Sequence, residues 1–279
     1  MADDIIISGN VAVITGAARG IGRAAALRLA QKGMRLVLAD VLVDELSATA
    51  AAARAAGAPD AIAVPTDVSD KAAVEALCTA AYERFGAVDL LMNNAAIGEG
   101  GGTFENYGNW QRLFGVNVWG VINGVQTFVP KMLAAGRPGY VVNTGSKQGI
   151  TTPPGNAAYN ASKAAVKVIT EQLAHELRSS GSRLSAHLLI PGWTFTGMTA
   201  SDPAAEKPDG AWHAVEVVDF MLKGLSAGDF YILCPDNETP RALDEKRMAW
   251  ATGDIIEGRP ALSRWHPDFK DAFKRFVDQ

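Results

Sequence analysis

The chain has 279 residues, 48% of them hydrophobic and 20% charged, with a formal net charge of −4. These values describe a soluble globular protein with an ample core, and the acidic balance argues against a nucleic-acid partner, which needs a basic face. The two cysteines, Cys78 and Cys234, fit no metal spacing and are expected as buried free thiols in a reducing cytoplasm; Ile5-Ile6-Ile7 is too short for a signal sequence or membrane span.

Short apolar, β-branched runs alternate with helical patterns along the chain. Strands are predicted at Val11–Thr15, Arg35–Asp40, Ala61–Thr66, Asp89–Asn93, Tyr140–Thr144, Leu184–Ile190 and Phe230–Leu233. Helices are predicted at Gly20–Lys32, Val43–Ala56, Lys71–Phe85, Trp110–Ala135, Ala157–Ser179 and Ala214–Leu225. Alternation of this kind specifies an α/β fold, a doubly wound parallel sheet of the Rossmann-like type, with its ligand at the carboxyl ends of the strands. No internal repeat or linker divides the sequence, so one domain over residues 1–279 is expected.

The first strand runs straight into Gly16-Ala17-Ala18-Arg19-Gly20-Ile21-Gly22 and then a helix. Glycines let the backbone turn sharply and approach a diphosphate, while the helix N-terminus offers free N–H groups and a positive dipole. Asp40 ends the second strand, where a carboxylate can accept hydrogen bonds from both ribose hydroxyls of NAD and repel the 2′-phosphate of NADP. Asp40 could instead cap the following helix, and Arg19 could bind the phosphate of NADP; the carboxylate ranks above it, so NAD is expected before NADP. Asp67, ahead of Ser69-Asp70, could also cap a helix.

Tyr159 lies four residues before Lys163, so on a helix the two share a face. A free phenol loses its proton near pH ~10, and a neighbouring ammonium lowers that value, which can turn tyrosine into a general acid/base. Alone, the pair reads as easily as a core-flanking aromatic beside a solvated charge. Asn117 falls inside a predicted helix, a poor place for asparagine unless its side chain is used. His175, His187, His213 and His266 form no metal spacing, and no carboxylate pair suggests hydrolysis, so no metal site is expected.

Taken together, these motifs resemble the short-chain dehydrogenase/reductase family in its compact single-domain branch. Thr15–Gly22 is similar to the family's cofactor loop, and Asn93-Asn94-Ala95-Ala96 to its Asn-Asn-Ala-Gly element with alanine in the last place. Asn117, Ser146, Tyr159 and Lys163 fall where its catalytic tetrad falls, and Pro191-Gly192 where it turns beside the nicotinamide. The likeness runs from about Asn10 to Thr199.

The resemblance implies that Asp67 and Val68 hold the adenine, that Asn94, Ala95 and Ala96 lie along the adenosine ribose, and that Ser146 holds the substrate oxygen beside Tyr159. Lys163 would hold the nicotinamide ribose, Asn117 would distort its helix and anchor a water, and Thr194 and Thr196 would bond the carboxamide or phosphates. It also implies a substrate lid over about residues 193–226, where Trp193 and Phe195 suggest an apolar or ring-bearing substrate, unless they only pack a lid helix. A homodimer or homotetramer is implied too, through the glycine-containing segment Val118–Val129.

An extension over about residues 235–279 carries Phe269, Phe273 and Phe276 at spacings for one helix face, which must pack on its own domain or on a neighbour. The expected activity is therefore interconversion of a secondary alcohol and a carbonyl with NAD, on a small-molecule substrate, with no membrane partner. An NADPH-preferring carbonyl reductase is the alternative within the fold. A dinucleotide-sensing regulator would not need Ser146, Tyr159 and Lys163 together, and an epimerase or dehydratase of the extended branch usually has another glycine spacing.

Overall fold

A computed structural model describes residues 5–199 and 206–278; of the predicted lid, residues 200–205 lie outside the described residues. Seven parallel strands form one sheet: β1 (Val11–Thr15), β2 (Arg35–Asp40), β3 (Ala61–Pro65), β4 (Leu90–Asn93), β5 (Gly139–Thr144), β6 (Leu184–Ile190) and, after two short strands, β9 (Tyr231–Leu233). Their spatial order is β3-β2-β1-β4-β5-β6-β9. Every residue of β1, β4 and β5 is buried, which is why these runs read as continuous rather than alternating hydrophobics.

Helices cover both faces. On one side α1 (Gly20–Gln31), α2 (Val43–Ala55) and α8 (Ala214–Ala227) pack Leu29, Leu46 and Met221 against Leu36, Leu38 and Met92. On the other, α3 (Lys71–Phe85), α5 (Gly120–Ala134) and α7 (Ala157–Ser179) pack Leu77, Phe128 and Leu173 against Val13, Leu91 and Val141. The strand order reverses between β1 and β4, so the chain departs in opposite directions there and leaves a crevice at their carboxyl ends.

One predicted helix needs correction. In place of Trp110–Ala135 the chain forms α4 (Tyr107–Phe114), a π-helical turn (Gly115–Trp119) and then α5. The glycines of α5 also face inward. A Cβ on Gly120 would stand 2.7 Å from Val68 Cγ2, and one on Gly124 2.1 Å from Asn93 Oδ1, so these two glycines seat one face of the helix on its own domain.

Beyond β6, β7 (Thr194–Phe195) and β8 (Trp212–His213) form a small parallel ladder. A short α6 (Gln148–Thr151) precedes α7, and the extension folds into α9 (Arg241–Ile256) and α10 (Lys270–Asp278). Phe273 and Phe276 of α10 lie 5.4 and 5.2 Å from the Trp250 ring, so their face packs on α9. Phe269 instead belongs to the 3₁₀ turn Pro267–Phe269 and meets His266. No helix among the described residues is long and apolar enough to cross a membrane.

The contact at Gly124 can be tested. Replacing it with alanine gains about 1 kcal/mol of helix propensity but overpacks the sheet contact, at about 1–3 kcal/mol. With a 2.1 Å approach the packing penalty dominates, and Gly124→Ala is expected to lower the free energy of unfolding by roughly 1–2 kcal/mol in urea titration. An unchanged midpoint would show that α5 shifts freely on the sheet.

Candidate active site

The glycine turn crosses the crevice between β1 and β4. Gly16 and Gly20 have φ of +66° and +56°, which glycine adopts without strain. A Cβ on Gly22 would stand 2.1 Å from the Gly16 carbonyl oxygen, so the turn can fold onto the first turn of α1 only without a side chain there. Asn94 locks this arrangement: its Nδ2 donates to the carbonyls of Thr15 (3.0 Å) and Gly16 (3.3 Å). The Thr15 hydroxyl in turn accepts from the amides of Asn94 (3.0 Å) and Ala95 (3.1 Å). The helix then begins with no acidic residue in its first turn and no side-chain cap.

At the end of β2 the Asp40 carboxylate accepts from the Ala18 amide (3.0 Å) and the Leu42 amide (3.1 Å), fixing it against the glycine turn at the edge of the cleft. Arg19 also lines the cleft, where its half-exposed guanidinium pairs with Glu45 of α2 at 2.8 Å. Asp67 accepts from the amide and hydroxyl of Ser69, and it is Asp70 that caps α3 by accepting from the Ala72 amide at 2.9 Å.

The opposite end of the cleft is built by β5 and α7. Asn156 caps α7 by accepting from the Tyr159 amide at 3.3 Å, which sets Tyr159 in the first turn and Lys163 in the next. The Lys163 ammonium donates to the Thr144 carbonyl at 2.8 Å and lies 5.7 Å from the Tyr159 ring centre. Burial brings its pKa down to about 8. Burial also raises the Tyr159 phenol, and the hydrogen bond with Ser146 partly offsets this.

Asn117 sits in the π-helical turn and is 1% exposed. Its Oδ1 accepts from the Ile97 amide (2.9 Å), and its Nδ2 donates to the Ile97 carbonyl (3.0 Å) and the Ser162 hydroxyl (3.1 Å). Ser162 donates onward to the Tyr159 carbonyl at 2.8 Å. The side chain therefore ties the distorted helix to the β4 loop and to α7, and it does not line the cleft.

The cleft between these ends has a volume of about 640 Å³. Gly16, Arg19, Gly20, Ile21, Asp40, Asp67, Val68, Asn94, Ala95, Ala96, Ser146, Tyr159, Lys163, Pro191, Gly192, Thr194 and Thr196 all line it. Gly22 stands behind Gly16, and Trp193 and Phe195 are also absent from the lining. The strand period explains that last correction: with Thr194 and Thr196 facing the cleft, residues 193 and 195 face away. Trp193 instead stands over Gly210. Apolar lining of the cleft also comes from Ile97, Val116 and Met198, none of which carries a motif, although each is close in sequence to one that does.

A family model for short chain dehydrogenases matches residues 10–207. The 1-deoxy-11-beta-hydroxypentalenate dehydrogenase of Streptomyces avermitilis is 34% identical over 246 residues, which cover 86% of this chain and 90% of that protein. The 2,5-dichloro-2,5-cyclohexadiene-1,4-diol dehydrogenase LinX of Sphingobium indicum is 34% identical over 198 residues, 71% of this chain and 78% of LinX. A short chain dehydrogenase/reductase from Burkholderia phymatum, solved in complex with NAD, is 38% identical and matches with a TM-score of 0.82 over 91% of this chain and 96% of its own. Sequence, topology and relatives agree that this chain belongs to the short-chain dehydrogenase/reductase family, oxidoreductases acting on CH–OH groups.

Proposed function

We propose that the chain oxidises a secondary alcohol, or reduces the corresponding carbonyl, with NAD, and that Tyr159 is the general acid/base. The observation that carries this reading is the buried end of the cleft, where Tyr159 is hydrogen-bonded to Ser146 and lies beside the Lys163 ammonium. In oxidation Tyr159 takes the hydroxyl proton while Ser146 holds the substrate oxygen. Lys163, held on the Thr144 carbonyl, places positive charge next to the phenol and favours its deprotonated form. Asn117 acts from outside the cleft by keeping the helix distortion that aligns α4 with α7.

The chain's own residues fit NAD. Asp40 presents a fixed carboxylate to a ribose, the uncapped start of α1 faces the place for a diphosphate, and Lys163 has a donor for the second ribose. When bound there, NAD supplies the hydride acceptor. The Arg19–Glu45 pair favours NAD over NADP, because the cation that could meet a 2′-phosphate already has a carboxylate. Ile97, Val116 and Met198 suit an apolar substrate, and relatives named for a hydroxypentalenate and a cyclohexadiene-diol support an alcohol.

The same reading takes the chain as one domain with a lid and an extension. It also places the protein in the cytoplasm, where the buried free thiols Cys78 and Cys234 stay reduced. A homodimer or homotetramer is part of the proposal, supported by the exposed Trp119 and Val168 near the start of α5 and on α7.

Tyr159→Phe keeps the ring and removes the proton carrier, so turnover is expected to fall by about 10²–10⁴-fold while NAD affinity by calorimetry changes little. Retention of more than about a tenth of kcat would remove Tyr159 from this role. Because oxidation needs the phenolate and reduction the phenol, kcat/KM should rise with pH for the alcohol and fall with pH for the ketone. The Phe variant's residual activity should lack that slope.

At the other end of the cleft, Asp40→Ala should shift preference toward NADP by about 1–3 kcal/mol, through lost charge-assisted bonds and relieved repulsion. Titration of both nucleotides measures this, and a wild type that already prefers NADPH would contradict the assignment.

A further inference from the structure

We infer that Lys147, Asp236 and Asp244 form a buried clamp through which the C-terminal extension positions Ser146 and the Pro191–Trp193 turn; this rests on the reading of Ser146 given above. Lys147 follows Ser146 directly, and its amide donates to the Pro191 carbonyl at 3.3 Å. Its ammonium leaves the cleft and lies 3.0 Å from Asp236 Oδ2 and 2.6 Å from Asp244 Oδ2. Asp236 belongs to the loop after β9 and Asp244 to the first turn of α9. The three side chains are 13%, 5% and 3% exposed, so solvent screens them little.

Asp236 is the centre of the clamp. Its Oδ2 also accepts from the Trp193 amide at 3.1 Å, and its Oδ1 accepts from the Thr239 amide at 2.6 Å. One carboxylate thus joins the residue after the proposed substrate-binding serine, the turn that lines the cleft and the start of the extension. Gly192 makes this approach possible, since a Cβ there would stand 2.4 Å from Asp236 Oδ2 and 2.8 Å from Lys147 Nζ.

Asn237 holds the far side of the same loop. Its amide donates to the Gly210 carbonyl at 3.1 Å, its Nδ2 to the Asp209 carbonyl at 2.8 Å, and its Oδ1 accepts from Trp212 Nε1 at 3.0 Å. Both ends of the chain segment between Trp193 and Trp212 are therefore fastened to residues 236 and 237. The aromatic contacts of Trp250 with Phe273 and Phe276 fix α10 on α9, the helix that carries Asp244. Lys147 and both aspartates act through other groups, and so are positioning residues.

The clamp is tested in the full-length protein with Asp236→Ala and Asp244→Asn, using Lys147→Arg as the conservative variant. The probes are NAD and the secondary alcohol that the wild type oxidises fastest from a panel. A displacement of about 1 Å at a reacting group costs on the order of 100-fold, so Asp236→Ala is expected to lower kcat by at least about tenfold, with KM for NAD nearly unchanged. Lys147→Arg, which keeps the charge, should retain most of the activity.

Amide hydrogen exchange gives a second reading that does not depend on turnover: protection at Lys147, Trp193 and residues 209–212 should fall in Asp236→Ala and less in Asp244→Asn. If Asp236→Ala fails to fold, Asp244→Asn carries the same two readings. Variants with wild-type kcat and wild-type exchange at these amides would overturn the clamp. A wild type that oxidises no alcohol would overturn the functional reading instead, and the exchange measurement would then decide the clamp by itself.

Discussion

Lys163 carries an ammonium group with 3% of the residue exposed, and a cation so placed must find acceptors or give up its proton. The acceptor it finds is the Thr144 carbonyl, the last peptide group of β5. That one bond fixes where α7 can lie, because the first two turns of the helix must cross the carboxyl end of the strand. With the helix there, Tyr159 reaches Ser146 two residues beyond Thr144, and Asn156 has to close the helix start to hold the register. Burial brings the lysine down to about 8, and among the described residues it has no carboxylate partner that would cancel its field. The arrangement places a cation beside the phenol.

The crevice at the other end follows from topology, with two groups holding it open. Thr15 and Asn94 bond across β1 and β4 where the strands' connections diverge, and the glycine turn can close over α1 only because residues 16 and 22 lack side chains. In the proposed function, cofactor choice and proton transfer are therefore assigned to separate parts of the structure. Asp40 and the Arg19–Glu45 pair stand at the β2 end, while Tyr159 and Lys163 stand at the β5 end.

Much of this was legible in the sequence, for identifiable reasons. Strands buried on both faces appear as uninterrupted Val, Ile, Leu and Ala, so all seven sheet strands could be placed to within a residue at either end. The π-helical turn escaped detection because one extra residue in a turn hardly disturbs apolar periodicity; the signal was Asn117 itself, a polar side chain in mid-helix that needed partners. Trp193 and Phe195 suggest substrate contacts from residue type and from the lid that the resemblance implies, whereas strand alternation with Thr194 and Thr196 turns them away from the lining. Lys147 gave no signal at all, since its carboxylates lie 89 and 97 positions later and no periodicity spans that distance.

That sequence separation bears on how the protein is made. Every described residue lining the cleft precedes position 200, so a ribosome has built these walls before it adds Asp236 and Asp244. At that stage Lys147 would have neither carboxylate as a partner, and the peptide after Pro191 would lack the acceptor for the Trp193 amide. Such a charge favours an open arrangement exposed to water over the closed one. Translation of Asp236 and then Asp244 removes that preference, so the nascent chain settles its substrate-side geometry late, after the glycine turn and its strands can already pair.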